Sequence, residues 1–283
     1  MILDGKKVAN ELKENLFKRI DALKKNKIFP CLSIVLVGNN PASQMYSSFL
    51  SKTVKKYDLD VRVHEYSENI LENELVLEIK KLNEDENVDG ILIMMPLPKH
   101  ISEEKIIDTI LPEKDIDGLT TVNIGSIVKN KDCLCPCTPK AVMTILESYK
   151  IDIEGKDVVV LGRSAVVGKT LALMLLNKNA TVTVCHSKTR NLKDKTLNAD
   201  ILISAIGKPH YVKEDMVKKD AIVIDVGINK LNGKTVGDVD YEKVEKTARA
   251  ITPVPGGVGS VTTTVVVDTL VSVVEKKFLH KKG

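Results

Sequence analysis

Four runs of aliphatic residues in this chain each run into a glycine: CLSIVLVG (31–38), KDVVVLG (156–162), ADILISAIG (199–207) and AIVIDVG (221–227). A strand with one wet face alternates apolar and polar residues, whereas a strand covered on both faces reads as an unbroken apolar run. Such runs, separated by longer stretches of helical periodicity, admit few architectures, and a parallel sheet with helices on both faces is the natural one.

The intervening stretches supply the helices. Residues 5–27 carry a helical pattern, and Pro41 opens a helix expected from about Ala42 to Tyr57, since a proline in the first turn forfeits only an N–H that has no partner there. VRVHEY (61–66) reads as a second strand, LENELVLEIKKLNED (71–85) as a helix, and DGILIMMPLP (89–98) as a third strand broken by two prolines. Between Lys114 and Pro139 the pattern lapses into turn residues, which predicts a hinge. The second half restarts with strand, glycine turn and helix in KDVVVLGRSAVVGKTLALMLL, followed by a strand in ATVTVCHS. The fold class expected is therefore α/β in two domains, an N-terminal α/β substrate domain over 1–139 and a Rossmann-like dinucleotide-binding domain over 140–261. A last helix, about 262–283, is long enough to return to the first domain.

Composition narrows the function. Forty-two basic and 38 acidic residues are spread along the chain for a net charge of +4, which points to neither nucleic acid nor membrane as a partner. The charged N-terminus does not read as a signal peptide, and no apolar run is expected to reach the ~20 residues that span a bilayer, so the expectation is a cytoplasmic protein. Five cysteines in 283 residues do not make a disulfide framework. The Cys133, Cys135 and Cys137 cluster is spaced too tightly for the usual zinc motif and no paired histidine follows, so no metal is expected.

Gly162-Arg-Ser-Ala-Val-Val-Gly168 follows a strand and opens a helix, the place where a Rossmann unit holds a phosphate on backbone N–H groups. It is not G-x-G-x-x-G, and a turn that merely joins two elements would look similar. The end of the next strand sharpens the reading. An NAD site usually carries Asp or Glu there for the ribose 2′-hydroxyl, but this chain has Cys185, His186, Ser187 and Lys188. With no carboxylate to repel a 2′-phosphate, and with Arg163 and Ser187 as donors, NADP is favoured over NAD, which stays possible. The candidate cofactor residues are Gly162, Arg163, Ser164, Val167, Gly168, His186, Ser187 and Ile228.

Nine segments then occur in a distinctive order: VGNNPASQMY (37–46), DGILIMMPLP (89–98), PEKDIDGLT (112–120), PCTP (136–139), VVVLGRSAVVGK (158–169), TVTVCHSKT (181–189), ADILISAIGKP (199–209), IVIDVGIN (222–229) and ITPVPGGVGS (251–260). Together they resemble the methylenetetrahydrofolate dehydrogenase/methenyltetrahydrofolate cyclohydrolase family over nearly the full length. The resemblance implies a homodimer with a folate cleft between two domains, and two reactions: oxidation of 5,10-methylene-tetrahydrofolate with NADP, then hydrolysis of the methenyl product to 10-formyl-tetrahydrofolate. It implies that Tyr46 meets the folate ring system and that Asp117 accepts from the pterin N–H groups, a task a carboxylate suits because it takes two parallel donors. It places Pro255, Gly256 and Gly257 in a loop against the substrate. Without the resemblance, Tyr46 reads as a half-buried aromatic and Asp117 as a turn residue before Gly118.

Two departures bear on the second reaction. The family has a catalytic lysine four residues after the tyrosine, where this chain has Leu50, and a glutamine contacting that lysine, where this chain has Met94. At ~100° per residue, Leu50 lies ~40° from Tyr46 on the helix and Lys52 ~120° to the other side, while Lys55 and Lys56 are two or more turns along. None of them substitutes for the missing lysine. Hydride transfer requires positioning, whereas attack of water on the methenyl carbon requires proton handling that Leu and Met cannot provide. The expectation is a dehydrogenase with weak or absent cyclohydrolase activity. The alternatives are a fully bifunctional enzyme, or a non-catalytic folate- or nucleotide-binding regulator. A smaller departure, Ser260-Val261 in place of Pro-Met, is expected to loosen the glycine loop.

Overall fold

The computed structural model describes residues 1–280; the expected end of the last helix at 281–283 lies outside them. The chain divides into two compact units, one made of Leu12–Cys135 with the chain from Val266 onward, the other of Met1–Glu11 with Pro136–Val265.

In chain order the first elements are α1 (Gly5–Lys25), β1 (Cys31–Val37), α2 (Pro41–Lys56), β2 (Asp60–Tyr66), α3 (Glu72–Glu84), β3 (Gly90–Ile93), α4 (Glu103–Thr109) and α5 (Thr121–Val128). The three strands form a parallel sheet in the order β2-β1-β3. All seven residues of β1 are buried, as expected of a central strand, while β2 at the edge is partly exposed along its length. Val35, Val37, Ile91 and Ile93 pack with Leu75 and Ile79 of α3 and Ile106 of α4.

The hinge expected over 114–139 is partly helical. Thr120 caps α5 by accepting from the Asn123 N–H, and Cys137 begins α6 (Cys137–Ser148). Eight residues with a glycine in the middle show too little periodicity for α5 to stand out in the sequence, and its cap and packing stabilise it instead.

The remaining elements are β4 (Asp157–Leu161), a single π-type turn (Ala165–Lys169) running into α7 (Thr170–Leu176), β5 (Thr181–Cys185), α8 (Leu192–Leu197), β6 (Ile201–Ser204), β7 (Ile222–Asp225), the antiparallel pair β8 (Asn229–Leu231) and β9 (Lys234–Val236), α9 (Tyr241–Val244), β10 (Ala250–Ile251) and α10 (Val258–His280). Five strands make a parallel sheet in the order β10-β7-β6-β4-β5. The order reverses at β4, so β4 sits at the topological switch point, where open α/β sheets leave a crevice outside the carboxyl ends of their strands. Leu3 extends this unit, its N–H donating to Ile251 O at 2.8 Å.

One expectation about apolar length is corrected. Val258–Leu279 of α10 is 22 residues long and apolar enough to cross a bilayer by length and composition, though most of it is buried inside the fold, as in a core helix. Its threonines, serines and single Asp268 masked the run in the sequence. Within the first unit α10 is tied to α1 by Arg19, whose guanidinium reaches Asp268 (2.6 Å), Ser272 (2.8 Å) and Glu275 (2.6 Å). Three acceptors on one planar fork fix both register and orientation.

Candidate functional site

The β4 turn is built from backbone contacts. Gly162 has φ +121°, and a Cβ on it would overlap the carbonyl oxygen of Ala205 at the end of β6. A Cβ on Gly168 would overlap Gly162 O. Both glycines are therefore required for the turn, the helix start and the neighbouring strand end to meet. Ser164 caps the helix, its hydroxyl accepting from the Val167 (3.2 Å) and Gly168 (3.4 Å) N–H groups. Those two donors are thus satisfied internally, and a phosphate would be left to the rest of the turn.

Beside this turn is an open pocket of about 310 Å³ at the carboxyl ends of β4, β5 and β6. It brings together five of the eight candidate cofactor residues, Gly162, Arg163, Ser164, His186 and Ser187. Val167, Gly168 and Ile228 do not line it: Gly168 is buried under the turn, and Ile228 is 67% exposed beside Gly259. The His186 turn is closed by its own N–H donating to Thr189 Oγ1 (2.8 Å) and by Lys188 N–H donating to His186 Nδ1 (3.1 Å). With Nδ1 an acceptor, the neutral ring carries its proton on Nε2. Arg163 and Ser187 are exposed, and no carboxylate lines the pocket.

Sequence reasoning missed the far wall of this pocket, Ala205, Ile206, Lys208 and Tyr211, and what holds it. Lys208 Nζ sits 5.4 Å from the centre of the Tyr211 ring. Behind the wall are two buried carboxylates. Asp225, at the end of β7, accepts from the N–H groups of Gly227 (2.9 Å), Asp238 (3.0 Å) and Val239 (2.8 Å). Burial, outweighing those donors and helped by neighbouring Asp238, pushes its carboxyl up to about 6. The signal was present in IDVGIN and GDVD, aspartates beside glycines in apolar surroundings, since Gly227 and Gly237 leave no room for a Cβ against Asp238 and Asp225 respectively.

The folate candidates of the first unit lie on α2, just after β3 and in the turn before α5. Ser43, Ser47, Leu50 and Val54 form the buried stripe of α2, with Leu50 fully buried and Tyr46 37% exposed at its margin. Lys52, Lys55 and Lys56 are exposed. Met94 is 3% exposed, its N–H donating to Val35 O at 2.8 Å, and Ser43 Oγ donates to Met95 O at 2.9 Å, which ties α2 to the segment carrying Met94. Asp117 is half-buried in a turn organised by Asp115, whose carboxylate accepts from Thr120 N–H (2.7 Å) and Asn123 Nδ2 (3.0 Å) and whose carbonyl accepts from Gly118 N–H (3.0 Å). Gly118 has φ +62° and backs onto Leu134 and Cys135. Burial raises the Asp115 carboxyl above its ordinary value.

In the second unit Pro255 is exposed, and Gly256 (φ +111°) and Gly257 lie backbone to backbone on Gly5, whose N–H donates to Gly256 O at 2.8 Å. A Cβ on Gly5 would overlap Gly257 O, so Gly5 belongs to this loop although nothing marked it in sequence. Ser260, expected to loosen the loop, is bonded to it through its own backbone. Its N–H donates to Gly257 O at 3.0 Å, a bond that proline, having no N–H, cannot make.

Among the described residues no cluster of three or more His, Cys, Asp or Glu is arranged for a metal ion. Burial and the adjacent Cys135 push the Cys133 thiol up to about 12.

A doubly wound sheet with a glycine turn at its switch point defines the class as a dinucleotide-binding α/β protein. The comparisons narrow it. Residues 3–117 match the catalytic domain of the tetrahydrofolate dehydrogenase/cyclohydrolase family, and residues 136–278 match its NAD(P)-binding domain. The bifunctional protein FolD of Thermodesulfovibrio yellowstonii is 50% identical over 262 residues, covering 92% of each chain. The crystal structure of the bifunctional enzyme FolD from Campylobacter jejuni superposes with a TM-score of 0.96 at 44% identity, covering 98% of this chain and 99% of the other. The Trypanosoma brucei methylenetetrahydrofolate dehydrogenase-cyclohydrolase, solved with NADP and an inhibitor, has a TM-score of 0.93 at 35% identity and 98% coverage of both chains. This chain belongs to the tetrahydrofolate dehydrogenase/cyclohydrolase family.

Proposed function

We propose that this chain oxidises 5,10-methylene-tetrahydrofolate to the methenyl form with NADP, and that its cyclohydrolase activity is weak or absent. NADP fits the pocket residues: the glycine turn opens a helix at the switch point of the sheet, and Arg163 and Ser187 offer donors to a 2′-phosphate without a competing carboxylate. When bound, the dinucleotide supplies the hydride acceptor. Tyr46 would orient the folate ring system, Asp117 would accept from its pterin N–H groups, and the Pro255, Gly256, Gly257 loop would lie against it. Holding the reacting carbons at about 3–3.5 Å with water excluded is what the oxidation requires of the protein. Operation as a cytoplasmic homodimer, without nucleic-acid or membrane partners, goes with this reading.

The observation that carries the loss of hydrolysis is Leu50, fully buried with Ser43, Ser47 and Val54 on the face of α2 that Ser43 ties to the segment bearing buried Met94. On the resemblance, these positions hold a lysine and a glutamine in the family, and changing both together to apolar side chains avoids a buried polar group without its partner. With no ammonium or amide at positions 50 and 94 to handle the proton, the hydrolytic step should lose roughly 10²–10⁴-fold. Purified protein given methylene-tetrahydrofolate and NADP should accumulate methenyl-tetrahydrofolate; rapid enzyme-dependent loss of added methenyl substrate would overturn the reading.

A second reading, the complete bifunctional enzyme, is favoured by relatives 46–50% identical that bear the name bifunctional protein FolD. It requires another group to take over the proton handling, and the same assay separates the two.

A further inference from the structure

The loop after β6 wraps one buried carboxylate. Asp238 is 0% exposed, and its Oδ2 accepts from Ser204 Oγ (3.1 Å), Ile206 N–H (2.8 Å) and Gly207 N–H (3.2 Å), while its Oδ1 accepts from Lys208 N–H (2.8 Å) and Asn229 Nδ2 (3.0 Å). Three successive N–H groups aimed at one anion, with Gly207 at φ +63°, make the kind of backbone concavity that holds phosphates elsewhere. Here the occupant belongs to the protein itself.

The placement of Asp238 is in turn determined from below. Its own N–H donates to Asp225 Oδ1, and the next N–H, from Val239, donates to Asp225 Oδ2. Residues 205, 206 and 208 present their outer side to the nucleotide pocket. Ala205 also supplies the carbonyl against which Gly162 is packed, so the loop and the glycine turn are set against each other.

We propose that Asp238 is a positioning residue for dinucleotide binding, its carboxylate holding the 204–208 loop in the shape that forms the far wall of the nucleotide pocket. The proposal rests on the reading of that pocket as the NADP site. All five groups facing Asp238 are donors, so an acceptor on both oxygens is required. Asparagine keeps the size but offers one acceptor and turns an N–H₂ toward donors, leaving several of them buried without partners. Glutamate has no room, because the backbone of Gly227 already abuts Oδ1.

The test uses full-length Asp238→Asn, with calorimetric NADP affinity, steady-state kinetics and hydrogen exchange at 206–208, below the variant's melting temperature. The dinucleotide Kd and KM should rise roughly tenfold or more, since several donors lose their acceptor, while kcat at saturating NADP stays within about threefold. The amides of Ile206, Gly207 and Lys208 should exchange faster, with those of β4 unchanged. A merely structural role would lower the melting temperature without changing the affinity of the folded fraction, and a Kd within about twofold of the parent overturns the proposal. Should Asp238→Asn not fold, Ser204→Ala removes one donor to the same oxygen and should raise Kd by about two- to fivefold, an unchanged value being the refutation. A parent chain that does not bind NADP overturns the cofactor reading and this proposal together, whereas a parent that binds and a variant that binds equally overturns this proposal alone.

Discussion

The turn after β4 and the buried face of α2 are the two proposed centres of this protein's chemistry, and they are made of different material. The turn is made of glycine backbone, a serine cap and a loop held on Asp238, so its shape depends on many contacts that no single exposed side chain supplies. The α2 site depends on what one position carries. Under the proposed function, buried Leu50 and Met94 stand where the proton-handling groups would otherwise be, so the hydrolytic step would be lost with those two side chains alone. Binding built on backbone tolerates drift in side chains, whereas acid–base chemistry built on a side chain disappears with it.

Restoring the side chains should produce the largest effect. Leu50→Lys with Met94→Gln should raise methenyl hydrolysis by roughly 10²-fold or more, with oxidation little changed, since a general acid or base contributes about that much. Leu50→Lys alone should chiefly destabilise, because it buries an ammonium without its partner. Hydrolysis unaltered in a folded double variant would break the comparison.

The opposite experiment removes backbone freedom at the turn. Gly162→Ala should cost roughly 2–5 kcal/mol of stability and abolish NADP binding, from a left-sided φ together with overpacking on Ala205 O. Denaturant unfolding and calorimetry measure the two consequences, and a variant that binds normally would show that the turn is less constrained than its geometry says.

A pH titration probes the layer beneath the pocket wall. Asp225 is held at about 6 against an ordinary 3.8, so the folded chain keeps this proton where the unfolded chain has lost it. Its stabilising contribution is full below about 3.8, falls as pH rises and is gone above about 6. Across that window the unfolding free energy of the parent should decline relative to Asp225→Asn by roughly 3 kcal/mol, at about 1.4 kcal/mol per pH unit. Parallel curves would refute the burial argument.

The smallest effect belongs to an exposed side chain on the backbone-built site. Arg163→Ala should weaken NADP by about tenfold and leave NAD within twofold, the size of one charge-assisted contact in partial solvent. Equal losses for both dinucleotides would place the guanidinium elsewhere than on the 2′-phosphate.

Legibility followed the range of the interactions. The strands at 31–37, 157–161, 201–204 and 222–225 were readable from their apolar runs, and α2 from Pro41 and its periodicity. The hairpin of β8 and β9 was also available in Asn232-Gly233, both at positive φ as its turn requires, but three-residue strands carry little pattern of their own. Helix α5 was missed because so short a segment looks like a loop until it packs, and the apolar length of α10, though its helix was expected, because threonines and serines interrupt the aliphatic run. Five candidate cofactor residues line the pocket, while Gly168 shapes the turn from beneath and Val167 and Ile228 lie outside the lining.

By itself the sequence determined the order of the elements, the parallel sheets, the glycine turn with no acidic residue after β5, and the apolar character of Leu50 and Met94. These follow from neighbours within a few residues or from motifs read in order. Only the tertiary structure decided that Asp238 would reach back some 30 residues to Ile206 and Gly207, that Asp225 would seat Asp238, and that Gly5 would underlie Gly256 and Gly257. A carboxylate in the sequence carries no sign of which distant N–H groups will surround it. That is settled when packing removes water from the site and every buried donor must find an acceptor.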